Sequence, residues 1–99
     1  MSISRFDYDA MQAIARRIQQ HSADLEAYLG QIQAMARGLE ERCRSPLAEA
    51  LQARSAEWVQ IGQELAQSLR ALGVDLARIV EAQRIAEEQE GARFARLPQ

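Results

Sequence analysis

The sequence predicts an all-α protein: an antiparallel two-helix hairpin that dimerises into a four-helix bundle. Three observations lead there. Apolar residues recur with heptad spacing along most of the 99 residues; the pattern breaks once, at Cys43-Arg44-Ser45-Pro46; and it resumes on a shifted face. A repeat of that period marks helices that pack on other helices. A hairpin of 11.1 kDa cannot enclose a wide core, so its apolar stripe calls for a companion surface.

The first helix is expected over about 8–43. Asp7 suits its N-cap, with Phe6 before it and Met11 at the fourth helical position, the spacing of a hydrophobic staple. Asp9 adds negative charge to the first turn. Met11, Ile18, Leu25, Ile32 and Leu39 then fall every seventh residue, with Ile14, His21, Tyr28, Met35 and Arg42 three places after each, an a/d seam. Ala13, Ala27 and Ala34 flank it on one side and Ala15, Ser22, Leu29 and Ala36 on the other; small flanks let helices approach closely, as in a bundle. Gln12, Gln19, Glu26, Gln33 and Glu40 are left for the wet face.

Ser45 followed by Pro46 reads as an N-cap with proline at the first helical position, where its missing donor costs nothing. A helix running unbroken through this point would lose about 3 kcal/mol. The second helix, expected over about 46–90, carries Leu47, Leu51, Trp58, Ile61, Leu65, Leu69, Leu72, Leu76 and Ile79 in steps of three and four. Gly62 and Gly73 each cost about 1 kcal/mol inside it, either offset by close helix contact or left as local weakness. Gly91 is the expected stop, followed by a mobile tail over 91–99 on which Phe94 and Leu97 are candidates to dock.

Composition excludes several classes of function. The net charge is -2, all twelve basic residues are arginine, and they form no block. Nucleic acid and anionic membrane are therefore poor partners, since phosphate binding needs clustered positive charge. No apolar run approaches the ~20 residues of a membrane span. The start, Met1-Ser2-Ile3-Ser4-Arg5-Phe6-Asp7, lacks the order of a cleavable signal peptide.

Little points to catalysis or metal. His21 is the single histidine and sits in the seam, where a polar residue more often sets register than moves protons. Cys43 is the single cysteine; at the turn it reads as a small apolar filler, with cross-linking or a reactive thiol as the alternatives. The acidic residues pair along helix faces with arginines, Glu40 with Arg44 and Arg84 with Glu87 or Glu88, as a solvated surface does. The expectation is no catalytic residue, no metal site and no cofactor.

Taken together, the Asp7-capped first helix, the central break, Glu49-Ala50-Leu51-Gln52, Glu57-Trp58, Glu64-Leu65, Leu69, the acidic stretch at Glu87 and the late Phe94 resemble the WXG-motif, early-secreted-antigen-like family of type VII secretion substrates. The likeness spans most of the chain. It implies a hairpin that pairs with itself or with a similar small hairpin into a four-helix dimer and is secreted without a cleavable signal peptide, handled by a secretion ATPase. The family's Trp-X-Gly turn is replaced here by Cys43-Arg44-Ser45. Its Tyr-X-X-X-Asp/Glu export signal reads Gln83-Arg84-Ile85-Ala86-Glu87, keeping the acid at Glu87 and placing Gln83 where the tyrosine stands. By that resemblance the chain is the signal-less member of an exported pair. The alternative is a cytoplasmic adaptor or chaperone-like protein that uses the same stripe to hold an amphipathic helix of a larger client. Identical and non-identical partners both remain open at this stage.

Overall fold

In the computed structural model, residues 4–98 are described. Met1, Ser2 and Ile3, on which the signal-peptide expectation partly rests, and Gln99 at the end of the expected tail lie outside the described residues. The chain forms α1, Arg5–Arg42, and α2, Pro46–Ala95, folded back on one another.

The central break forms as its residues dictate. Cys43 adopts an extended conformation and its N–H donates to Leu39 O at 2.9 Å, closing α1. Ser45 is extended too, and its hydroxyl accepts from Ala48 N–H at 3.1 Å while Pro46 opens α2. One orphan donor is thereby satisfied, and the proline occupies a position that has no bond to lose.

Both outer ends differ from the expectation. The N-cap of α1 is Ser4, not Asp7. Ser4 Oγ accepts from Asp7 N–H at 3.2 Å, while Asp7 Oδ2 accepts from Ser4 N–H at 3.3 Å and from the Ser4 hydroxyl at 2.8 Å. This reciprocal box satisfies two donors where an Asp7 cap would satisfy one, so the helix starts three residues earlier. Phe6 consequently lies in the first turn and is exposed, rather than stapling onto Met11.

At the other end α2 runs through Gly91 to Ala95, and no described glycine has positive φ. Gly91 costs about 1 kcal/mol in a helix, too little to stop one built of Ala, Arg, Gln and Glu. Arg84 also ties this stretch along its length, bonding Glu81 and Glu88 at 2.6 Å each. The helix ends with Arg96 N–H donating to Arg93 O and Leu97 N–H to Phe94 O, before Pro98.

The two helices meet along a line of mostly small residues. From α1 it takes Tyr8, Ala15, Ser22 and Leu29; from α2, Ala48, Val59, Ala66, Gly73 and Val80; all are buried. Along α2 the line steps by heptads from Val59 to Val80, so an intramolecular coiled seam exists, but not on the residues with the largest apolar side chains. Gly62 and Gly73 show why the approach is close. A Cβ at Gly62 would stand 2.6 Å from Leu29 Cδ2, and one at Gly73 would stand 3.0 Å from the Ala15 carbonyl oxygen and 2.7 Å from Gln19 Cγ. The cost of these glycines is therefore offset by helix contact.

Gln12, placed on the wet face by its spacing, lies half-buried beside this seam and donates from Nε2 to Ala77 O at 3.1 Å. Together these contacts fix the register: Ala15 is level with Gly73, and Leu29 with Gly62. The result is a rod of 83 × 17 × 16 Å. Its radius of gyration is 22.7 Å, against roughly 13 Å for a compact chain of this length.

At the open end of the hairpin, Tyr8 is buried where α1 crosses α2. Burial, and then the negative charge of the nearby Glu87 carboxylate, push the Tyr8 phenol up to about 12. A raised phenol pKa means that the fold favours the protonated form. Stability from this site is whole below about pH 10 and is lost as pH rises through about 12. We expect Tyr8 to ionise late in an alkaline titration followed by phenolate absorbance, and Tyr8→Phe to remove the matching loss of stability. An unchanged alkaline denaturation curve for Tyr8→Phe would count against this account. Next to it, the Arg84 guanidinium bonds to Glu81 and holds that carboxyl below its ordinary value.

Candidate functional site

The large apolar side chains that dominate the sequence pattern lie one residue before the seam. Ile14, His21, Tyr28 and Met35 precede Ala15, Ser22, Leu29 and Ala36; Leu47, Trp58, Leu65, Leu72 and Ile79 precede Ala48, Val59, Ala66, Gly73 and Val80. One residue is a rotation of about 100° around a helix axis. Because α1 and α2 run in opposite directions, that rotation turns both stripes to the same side of the hairpin.

The chain thus carries one broad apolar face. Tyr28 is 60% exposed, Met35 72%, Trp58 69%, Leu65 53% and Ile79 66%. Ile14, Leu39, Leu51, Ile61 and Leu72 are exposed as well, and His21 stands among them in solvent. Met11, Ile18, Leu25 and Ile32 on α1, and Leu69 and Leu76 on α2, are half-buried along the floor between the helices. A shallow groove of about 270 Å³ shows the two stripes meeting, with Leu29 and Ile32 on one wall and Leu51, Arg54, Trp58 and Val59 on the other.

The opposite side of the rod has a different character. One residue after the seam come Arg16, Ala23, Gly30 and Arg37 on α1, and Glu49, Gln60, Gln67, Val74 and Glu81 on α2. Most of these are small or polar. The hairpin is therefore two-faced, with its large apolar side chains gathered on one side.

The chain exposes 8205 Å², whereas a compact monomer of this mass exposes about 5,700 Å². The excess is roughly three times the ~800 Å² that a stable protein–protein interface takes from each partner.

The remaining expected positions divide as follows. Cys43, Arg44 and Pro46 are exposed at the tip of the hairpin with Ser45 half-buried, and the Cys43 thiol lies 3.8 Å from the Ser45 hydroxyl. Arg42 turns back to its own helix, donating from Nε to Gly38 O at 3.0 Å, and so caps α1 rather than extending the face. Gln83 is exposed, whereas Glu87 is half-buried against Tyr8. Arg84 bonds Glu88 as its spacing suggests, together with Glu81. Among the described residues no group of three or more His, Cys, Asp and Glu is placed to hold a metal ion, and no helix is long and apolar enough to cross a membrane.

Tyr8, Ala48, Val59, Ala66 and Val80 are the seam positions that the spacing of large apolar residues overlooked, whereas Ser22 enters the sequence pattern only as a flank and Gly73 only as a helix-weakening glycine that close contact could offset. The available signal on α2 was a second heptad line, one residue after the first and written mostly in small side chains. Compared with known protein families, curated proteins and solved structures, the chain finds no match.

Proposed function

We propose that this protein works by its surface, as a non-enzymatic helical hairpin that pairs through its apolar face with a second hairpin to form a four-helix bundle. The observation that carries the reading is the two-faced rod: ten large apolar side chains exposed on one side, spanning both helices. Fully burying each such side chain contributes on the order of 1.5–3 kcal/mol, against an association cost of about 4–15 kcal/mol. A handful of well-buried contacts is enough to hold a pair.

Export by a type VII-like secretion ATPase is the biological setting we propose for that pair. Its support is the resemblance described above, including Glu87 in the frame that begins at Gln83. The test is expression of the tagged chain in a host with such a system, with and without a similar small hairpin encoded beside it. Recovery from the culture supernatant in intact pairs is the expected result; retention inside the cells under both conditions overturns export and leaves the pairing to be judged by solution mass.

A further inference from the structure

We propose that the companion is a second copy of this chain, laid face to face and running in the opposite direction, with Arg54 of each copy against Asp75 of the other. The inference rests on the pairing reading above and goes on to name the partner and its register. Arg54 and Asp75 are charged residues beside the α2 stripe, both exposed, and no ion pair among the described residues engages either. They stand three heptads apart on the same line as Ile61 and Ser68, which helical spacing puts on the side of the stripe away from the seam, although the long Arg54 side chain also lines the groove beside Trp58.

That spacing has a symmetry. In an antiparallel pair of helices, equivalent edge positions face one another, so a two-fold axis at the midpoint between Arg54 and Asp75 makes two identical ion pairs. The midpoint falls between Glu64 and Leu65. The hairpin's register puts Leu25 level with Leu65, because Leu29 meets Gly62 and Gln12 bonds to Ala77. One axis therefore centres both helices at once.

The rest of the face matches across it. On α2, Trp58 comes opposite Leu72 of the second copy, Leu51 opposite Ile79, and bulky Ile61 opposite small Ser68. On α1, Ile18 comes opposite Ile32, Ile14 opposite Met35, and His21 opposite Tyr28. Asp24 and Glu64 approach their own counterparts near the axis, but at exposed outer edges where water and salt screen like charges. The parallel alternative, with both hairpin tips at one end, sets α1 against α2. It brings Asp75 near Arg17 on the outer edge of α1 but leaves Arg54 beside Gln31 and Gly38, so only half of the charges are answered. Opposite charges at such edges select partner and orientation more than they add affinity.

Two variants and the native cysteine test this. Arg54→Glu alone places two acidic pairs across the interface, and Asp75→Arg alone places two basic pairs; each homodimer is expected to dissociate about tenfold more readily, roughly one 1.4 kcal/mol step. Mixed together, the two variants restore both opposite-charge pairs and are expected to exchange into a heterodimer as tight as the wild type. Both positions are exposed, so circular dichroism should show unchanged helix content. In the antiparallel pair the two Cys43 thiols lie at opposite ends, about 55 Å apart. Oxidation should give no disulfide within the dimer, whereas Ala86→Cys should add one that joins to Cys43 of the other copy.

The outcomes separate the claims. A wild-type dimer whose variants fail to complement, or one that forms a Cys43–Cys43 disulfide within the dimer, overturns this register and leaves pairing intact. A wild type monomeric alone but dimeric when co-expressed with a dissimilar hairpin overturns the second copy. A monomer under both conditions overturns the pairing reading itself.

Discussion

If two hairpins pair through the apolar face as proposed, Leu65→Asp is expected to turn the pair into monomers. Leu65 is 53% exposed in the single hairpin, so an aspartate there meets water and costs the isolated fold little. In the proposed pair the same position lies next to the symmetry axis, and the change is felt in both copies. Losing two buried leucines removes about 3–6 kcal/mol, which is roughly two to four orders of magnitude in the dissociation constant. Two carboxylates brought together away from water add to that. Light scattering over a range of concentrations should show the wild type as twice the chain mass and the variant as one. Gln67→Asp, two residues away on the polar side, is the control and should leave the mass unchanged. If both variants stay paired, the apolar face is not the interface.

Gly73→Leu should have the largest effect on the hairpin itself. A leucine is a better helix former than glycine by about 1 kcal/mol, so propensity alone predicts a gain. Packing reverses the sign. Even a Cβ at Gly73 lies 3.0 Å from the Ala15 carbonyl oxygen and 3.2 Å from Gln19 N, and neither backbone atom can step aside without moving α1. Overpacking of this kind costs about 1–3 kcal/mol and more for a full side chain. The variant should melt earlier, and its far-ultraviolet helix signal should become more dependent on concentration as the partner's face substitutes for the lost seam. Gly30→Ala is the counterpart. Nothing lies within 4 Å of its Cβ, so it should gain up to about 1 kcal/mol from propensity. Equal and positive shifts for both would show that the helices do not touch at Gly73.

What was legible in the residues follows from what each signal reports. Ser45-Pro46 marks the break because a cap and a proline fix backbone geometry locally, and the observed junction lies where they put it. The first cap was harder. Ser4 and Asp7 are both good N-caps in isolation, and Ser4 wins only because each bonds the other. Gly91 was misleading because a single glycine weakens a helix without ending it, and the helix formers around it outweigh the loss.

The seam was the largest difference. Hydrophobic periodicity locates large apolar side chains, but it does not say which neighbour they face. Here they face outward, while Ala15, Ser22, Ala66 and Gly73, nearly silent on any hydrophobicity scale, join the helices. The small flanks on α1, Ala15, Ser22 and Ala36 among them, and the glycines at positions 62 and 73 hinted at so close an approach. The candidate site was accordingly readable as a set of residues, and its orientation was not.

One further consequence belongs to the overhang of α2. Gly91 shares a groove with Arg5 at the start of α1, so among the described residues the turn that follows has no helix beside it. It carries Phe94, 76% exposed, and leads into Leu97, 59% exposed. Two molecules joined head to tail would present one such prong at each pole. A receptor gripping that prong takes hold of the assembly like a rope by its frayed end, without prying apart anything that keeps the strands together.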